Sequence, residues 1–242
     1  VSATTWADVW RRKGEEAQQT GQPGGPQLED LIRVDGFDTA TGAVSVSDWW
    51  ARGRHIDETL RRVPQRPLRV LEVGCGAGAM LWTLRAPDMA LVGVDPAASL
   101  LEIGRTAIPE AAFVVASAAA LPFPASSFDA VFSHSVFAYF DALADVDTGL
   151  AEMDRVATDD ALIFVLDVPD LATRAACEAH RDALTGVAPG AGRGGLHHLY
   201  VPRQRFVDAG ARLGRAVTLS QTPLASHAMS AFRFHALLEP RR

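Results

Sequence analysis

The chain predicts an α/β fold: a doubly wound, mostly parallel sheet with helices on both faces and a helical N-terminal extension. Three observations carry that expectation. Short apolar runs recur from residue 68 onward, helix-length stretches separate them, and the first run ends in a cluster of glycines. Strands alternating with helices build βαβ units, and a parallel sheet covered on both faces reads as short continuous apolar segments.

Residues 1–66 form the helical prelude. Trp6, Val9, Trp10 and Lys13 recur at i, i+3, i+4 and i+7, which places two indoles on one helical face. The sequence TGQPGGP at 20–26 breaks that helix, and Leu28, Leu31 and Ile32 open a second. Ser47 or Asp48 is placed to cap a third, with Ile56, Leu60 and Val63 as its apolar stripe and Pro64 as its stop. Strands are expected at 68–73, 90–94, 113–116, 128–132 and 161–167, each separated from the next by a helix. The runs 216–220 and 231–238 have no convincing helix between them and predict an antiparallel pair closing the sheet. The low-complexity stretch VAPGAGRGG at 187–195 predicts a mobile loop within 186–202.

Composition narrows the function classes. The 242 residues are 48% hydrophobic and 21% charged, enough to bury a full core in residues 67–242. No stretch approaches the ~20 apolar residues of a membrane span, and the opening VSATTWADVWRRKGEE lacks the apolar core of a secretory signal. A net charge of −6 argues against a nucleic-acid partner. Every cation except Lys13 is arginine, which reflects genomic composition. Cys75 and Cys177 lie 102 positions apart without metal spacing, so neither a disulfide framework nor a metal site is expected, and a cytoplasmic setting is.

The chemistry concentrates at residues 70–81, VLEVGCGAGAML, where a strand runs into Gly74, Gly76 and Gly78 ahead of a helix. Glycine there permits positive φ and lets a ligand approach without meeting a Cβ. Asp95 ends the second strand, where a carboxylate can accept both hydroxyls of a ribose lying over the turn. An adenosine-like ligand over the strand ends follows. GCGAGA also satisfies the dinucleotide pattern G-x-G-x-x-G/A, so an NAD(P)-dependent oxidoreductase is the alternative. Glu72, two residues before the first glycine, would repel a pyrophosphate and suits an ammonium instead. Glycine at 78 and the segment LPFPASSFDAVFSHS point the same way.

These segments, taken with LVGVDPAASLL (91–101), ALPFPASSFDAVFSHSVFAYF (120–140) and LAEMDRV (150–156), resemble the class I S-adenosylmethionine-dependent methyltransferases, in particular the small-molecule branch with the LPF…FD segment. The resemblance is strong over 66–167 and loose elsewhere. It implies a Rossmann-like, seven-stranded sheet with an antiparallel last strand, and S-adenosyl-L-methionine as cofactor. It implies that Glu72, Gly74, Cys75, Gly76 and Gly78 surround the methionine part, that Asp95 holds the ribose, and that Pro96, Ser117 and Ala118 flank the adenine. Ser133 and His134 would lie beside the sulfonium. Ser117 stands where the family usually has an acid, and ATDDA (157–161) replaces the usual Pro-Gly-Gly turn, far from the chemistry. A non-catalytic subunit keeping the fold is a further alternative. The segment SHSVF in place of an Asn/Asp-Pro-Pro-Tyr-like motif disfavours nucleic-acid or protein substrates.

Methyl transfer from a sulfonium needs alignment in a dry site, and a general base helps where the acceptor carries a proton. Among seven histidines, His134 is the first candidate base, and His197 and His198 in GGLHHLYVP the second. His55 is a candidate for the pocket roof, while His180, His227 and His235 read as structural or solvated. Trp49, Trp50, Phe137, Tyr139 and Tyr200 are the expected acceptor-pocket aromatics, with Phe140 in the core. Arg52 and Arg54 could bind an acidic acceptor, and Asp170 could cap a helix. The expected activity is methylation of an O or N atom of a small biosynthetic molecule of the secondary-metabolite kind. The prelude and the 186–202 loop would act as a lid, and the enzyme could form a homodimer.

Overall fold

A computed structural model of the chain describes residues 5–19, 25–38, 43–186, 196–221 and 227–241. The predicted loop at 187–195, and residues 20–24 of the breaker cluster, lie outside the described residues. Three helices come first: α1 (Trp6–Gln19), α2 (Leu28–Val34) and α3 (Val46–Leu60). Then follow β1 (Leu68–Val73), α4 (Ala79–Thr83), β2 (Met89–Asp95), α5 (Ala98–Ala107), β3 (Ala112–Val115) and β4 (Phe128–His134). The remainder is α6 (Leu143–Val156), β5 (Ala157–Pro169), α7 (Arg174–Thr185), α8 (Arg203–Leu213), β6 (Val217–Gln221) and β7 (Arg233–Leu238).

The seven strands form one sheet in the order β3-β2-β1-β4-β5-β7-β6. Pairs from β3 through β5 are parallel, and β7 runs antiparallel to both β5 and β6. The strand order reverses between β1 and β4, and in open α/β sheets the carboxyl ends beside such a reversal are where ligands bind. Alternation along each strand divides the core. Leu68 and Val70 of β1, with Ala130 and Phe132 of β4, pack under α2–α5; Leu71 and Val73, with Val131 and the β5 residues Ile163 and Val165, pack under α6 and α8.

The structure departs from the expected elements at three places. Ser45, and neither Ser47 nor Asp48, caps α3: its Oγ accepts from the Asp48 amide at 3.1 Å while donating to the Asp48 carboxylate at 2.6 Å. No helix separates β3 from β4. Residues 116–127 instead run as a loop closed by a Ser117–Ala120 bridge. And 157–161 is no turn but the start of β5, which is 13 residues long.

The helix-free loop explains why LPF and LAEMDRV occur together. Arg155 on α6 donates to the carbonyls of Phe123 and Leu121, both at 2.8 Å, and is held by Glu152 at 2.7 Å. Glu152 in turn accepts from the Leu121 amide at 2.8 Å. A loop without secondary structure must satisfy its backbone groups elsewhere, and here one ion pair does so. Arg155→Ala is expected to lower the melting temperature by about 3–6 °C, from a loss of about 1–2 kcal/mol. An unchanged thermal melt would remove this account of the paired motifs.

Candidate functional site

The turn from β1 into α4 is built by three consecutive alternate glycines, all at positive φ: 76° at Gly74, 54° at Gly76 and 86° at Gly78. Its amides are held by side chains from elsewhere. Asp95, at the end of β2, accepts from the Gly76 amide at 3.0 Å and from the Ala97 amide at 2.8 Å. Asp35, just after α2, accepts from the Ala77 amide at 2.6 Å and the Ala79 amide at 3.1 Å. A Cβ on Gly76 would stand 2.3 Å from Asp35 Oδ1, and one on Gly74 2.3 Å from Val136. The close approach that these glycines allow is therefore by the protein's own side chains.

A cavity of about 540 Å³ opens over the turn, within the usual size of a small-molecule site. Asp35, Glu72 and Asp95 line it together. Glu72 is buried, and among the described residues its Oε2 has no hydrogen-bond partner. Burial, with Asp35 and Asp95 close by, pushes the Glu72 carboxyl well above the usual range. Burial likewise raises Asp95, against the two amides that favour its charged form. Asp35 is pushed up to about 7 by burial, despite its two amide bonds, with Asp95 adding repulsion. Three acids crowded into one buried space need a cation there to stay charged together.

Of the residues expected around a cofactor, Glu72, Gly74, Cys75, Gly76, Asp95, Pro96, Ser117 and Ala118 all line this cavity. Two do not. Gly78 faces Phe113 and Ile108, 3.1–3.2 Å from where a Cβ would be, so it serves packing. Ser133 is fully buried and donates its Oγ to the Val73 carbonyl at 2.8 Å, pegging β4 to β1. Burial raises the Cys75 thiol well above its ordinary value, so it lines the wall as an inert group.

The expected acceptor side divides likewise. His134, Trp49 and Tyr139 line the cavity. Trp50 lies half-exposed, Phe137 is buried in the core under α6, and Tyr200 is buried beside Cys177 and Met229. Phe140, expected in the core, lines the cavity instead. The two aromatics exchange roles because a 3-10 turn at Phe137–Tyr139, rather than a helix, follows β4. Trp49 donates its indole N–H to the Ala79 carbonyl at 2.9 Å and meets Phe37 and His134 edge-on. His55 packs against Phe164 and His235, away from the cavity. Asp170 caps the 3-10 turn at Leu171–Thr173 and pairs with Arg203.

The three candidate bases are all engaged. A guanidinium can only donate, so the 2.9 Å contact from Arg52 to His134 Nε2 makes that nitrogen the acceptor and leaves Nδ1–H as a donor. Burial, with Arg52 alongside, holds the His134 imidazole well below its usual value. His198 accepts at Nδ1 from Arg181 at 2.9 Å and stacks on Trp6. His197 is exposed and bonds through its carbonyl, which accepts from Trp6 Nε1 at 3.1 Å. Neither His197 nor His198 lines the cavity.

The prelude contributes part of the cavity wall. Trp6, Trp10, Arg11 and Glu15 of α1 line the cavity. Trp6 and Trp10 meet Tyr139 edge-on at 4.9 and 5.2 Å. Gly14 lets α1 lie directly on α5: a Cβ there would stand 2.3 Å from Ser99 Oγ, which donates to the Arg11 carbonyl at 2.9 Å. Asp35 is the functional residue that the sequence reading missed. It sits in a segment with no motif, and only folding carries it the 42 positions to Ala77. Its one signal was a carboxylate placed just past the end of a short apolar helix.

Residues 71–165 match the family described as a methyltransferase domain. A demethylmenaquinone methyltransferase of Thermus thermophilus is 36% identical over 124 residues, 50% of this chain and 54% of that protein. A trans-aconitate 2-methyltransferase of Methylobacterium radiotolerans is 38% identical over 71 residues, 28% of this chain and 27% of that one. The chain thus spans about half the length of the first relative and less of the second. In fold it is similar to the magnesium protoporphyrin IX methyltransferase of Synechocystis PCC 6803 with bound SAH. That likeness has a TM-score of 0.62 at 14% identity and covers 96% of each chain. Among the described residues no helix is long and apolar enough to cross a membrane.

Asp35 makes a prediction that needs no ligand. Its carboxyl binds a proton more tightly in the folded chain, at about 7, than at its ordinary value of 3.8. Its contribution is therefore complete at low pH and is lost as pH rises toward about 7. Asp95 and Glu72 shift with the same sign, whereas the depressed imidazoles of His134, His227 and His235 act in the opposite direction, so Asp35 is read from a difference. In thermal melts across pH 4–8, Asp35→Asn should gain stability relative to the unaltered chain as pH rises toward about 7. An identical slope in Asp35→Asn would contradict this.

Proposed function

We propose that this chain, whose residues 71–165 match a methyltransferase domain, is a class I S-adenosylmethionine-dependent methyltransferase that transfers a methyl group to an O or N atom of a small molecule. The observation that carries the reading is the buried Glu72 oxygen without a partner among the described residues, on a residue that lines the cavity together with Asp35 and Asp95. Such a site suits a ligand bearing an ammonium and a sulfonium. It would repel the pyrophosphate of a dinucleotide, which disfavours the oxidoreductase alternative.

The residues fit that cofactor. Asp95 keeps further lone pairs for the ribose hydroxyls, since each carboxylate oxygen can accept more than one hydrogen bond. Glu72 supplies the acceptor for the ammonium, and Asp35 adds charge while fixing the turn. Ser117 and Ala118 would border the adenine; the Ser117 Oγ already accepts from the Ala119 amide at 3.2 Å. When bound, the cofactor supplies the methyl group as an electrophile on positively charged sulfur. The chain's part is to align the acceptor and exclude water. Helix α1, with Trp6 and Trp10 over Tyr139, closes the cavity as a lid, consistent with its packing on α5.

His134 acts as a donor that orients the acceptor. With Nε2 occupied by Arg52, its Nδ1–H is the group left to offer. The acceptor then needs a nucleophilic atom that is already free of its proton at working pH. The two relatives' acceptors, a demethylmenaquinone and trans-aconitate by their names, are both small molecules.

Calorimetry with S-adenosylmethionine tests the reading. Binding is expected in the intact chain, with Asp95→Ala weakening it about 100-fold through loss of charge-assisted hydrogen bonds. Glu72→Gln should weaken S-adenosylmethionine more than it weakens the uncharged adenosine portion alone. If NADH stabilised the chain against heat and S-adenosylhomocysteine did not, the methyltransferase reading would be abandoned.

A further inference from the structure

A second polar cluster lies behind the cavity wall, between α3, the ends of β4 and β5, and β7. Ser135 and Asp167 both hold left-handed backbone, at φ 59° and 61°, and Ser135 Oγ donates to Asp167 Oδ2. Non-glycine residues in that region persist where the surroundings demand them, often at functional sites. Arg233 Nη1 donates to the same carboxylate oxygen at 3.1 Å and to the Asp167 carbonyl at 3.0 Å. Arg52 reaches the cluster from α3 through His134. His227 and His235 each accept at Nδ1 from a backbone amide, of Met229 at 3.3 Å and of Asp167 at 3.0 Å. Burial holds both imidazoles near 4, so they are neutral.

The charges do not balance. Arg52 and Arg233 are only 4% and 7% exposed, and among the described residues Asp167, at 1%, is the buried carboxylate acting on Arg52 and bonded to Arg233. Asp48, the other acid acting on Arg52, is partly exposed and engaged at the cap of α3. The hydrogen bonds are incomplete as well. Among the described residues Arg52 Nε and Nη2, Arg233 Nε and Asp167 Oδ1 have no hydrogen-bond partner.

Arg215 provides an internal comparison. Its side chain is 0% exposed, yet every nitrogen is bonded: Nε to Asp154 at 2.6 Å, Nη1 to the Ala161 carbonyl at 2.7 Å, Nη2 to the Thr158 carbonyl at 2.9 Å. Where a buried guanidinium only ties elements together, this chain satisfies it completely. Leaving one unsatisfied is expensive, so the free Nε and Nη2 of Arg52 mark a place for something else. That edge is the fork that takes a carboxylate with two parallel bonds.

Three residues join the cluster to the cavity. His134, Ser135 and Tyr139 all line it. The first is bonded to Arg52 and the second to Asp167, and the Tyr139 phenol lies within the field of Arg233 and Asp167. We propose that the methyl acceptor is a small carboxylic acid whose carboxylate is held by the free edge of Arg52, with Arg233 beside it. This rests on the methyltransferase reading above and names its substrate class. A single negative charge cancels the excess of one guanidinium, and it supplies acceptors for the unpaired donors. A neutral or cationic acceptor does neither, and a phosphate dianion would overshoot. A hydroxyl on the same acid would serve Asp167 Oδ1.

The test uses the full chain, with and without saturating S-adenosylhomocysteine. Thermal shift is measured against a set of small aliphatic and aromatic carboxylic acids, each paired with its primary amide, and against inorganic phosphate; hits are titrated by calorimetry. Acids are expected to bind and their amides not. Arg52→Gln should weaken the best acid about 30-fold or more, Arg52→Lys less, and both should leave S-adenosylhomocysteine affinity within about twofold. The proposal is overturned if amides match acids, if phosphate alone binds, if no acid binds, or if neither Arg52→Gln nor Arg233→Gln moves the acid's Kd. The acid–amide comparison on the unaltered chain stands even where Arg52→Gln does not fold. Failure of S-adenosylhomocysteine to bind, with acids still preferred over amides, would sink the methyltransferase reading and leave the anion site.

Discussion

Everything at the rim of this sheet depends on how the backbone between β1 and α4 is held. Gly76, Ala77 and Ala79 present their amides to two carboxylates that belong to other elements, Asp95 at the end of β2 and Asp35 after α2. An amide turned away from regular structure in a buried place must find an acceptor, and a carboxylate is a strong one. The consequence is electrostatic: fixing the turn this way places two acids beside the buried Glu72. The fold thereby gathers three carboxyl groups on the cavity floor as a result of holding its own backbone, and a cation there would let them stay charged together.

The opposite end of the same cavity has the opposite character. Beyond His134 and Ser135 the buried groups carry an excess of guanidinium, through Arg52 and Arg233 against Asp167. Acids at one end and guanidinium groups behind the other would orient the proposed pair of ligands, a cation over the glycine turn and an anion toward β5 and β7. His134 sits between the two regions, its Nε2 committed to Arg52 and its ring packed against both Phe37 and Trp49. In that position a neutral imidazole separates the two fields without adding a charge to either.

The covering helix ties the two regions together mechanically. Trp6 and Trp10 contact Tyr139, Trp6 also stacks on His198, and α1 is fastened to α5 through Ser99. These are mostly edge-on aromatic contacts and hydrogen bonds to backbone, individually worth about 0.5–1.5 kcal/mol. Contacts of that strength hold a helix over a site while leaving the buried sheet to carry the stability of the fold.

The sequence by itself determined the sheet, the glycine turn and the acid after the second strand. Each is written locally: apolar runs of strand length between breakers, alternate glycines at the end of one of them, and an aspartate closing the next. Such signals survive because the physical requirement is local, whether burial on both faces of a strand or positive φ in a turn. Only the tertiary structure decided which polar residues meet. Asp35 reaches Ala77 across 42 positions, Arg52 reaches His134 across 82, and Arg233 reaches Asp167 across 66. No spacing rule links such pairs, since their partners are chosen by where helices dock on the sheet. For the same reason His227 and His235, unremarkable in the chain, lie in a buried charged cluster. Trp50 and Phe137, prominent in the chain, turn away from the cavity because one faces solvent on α3 and the other lies in the core beneath α6.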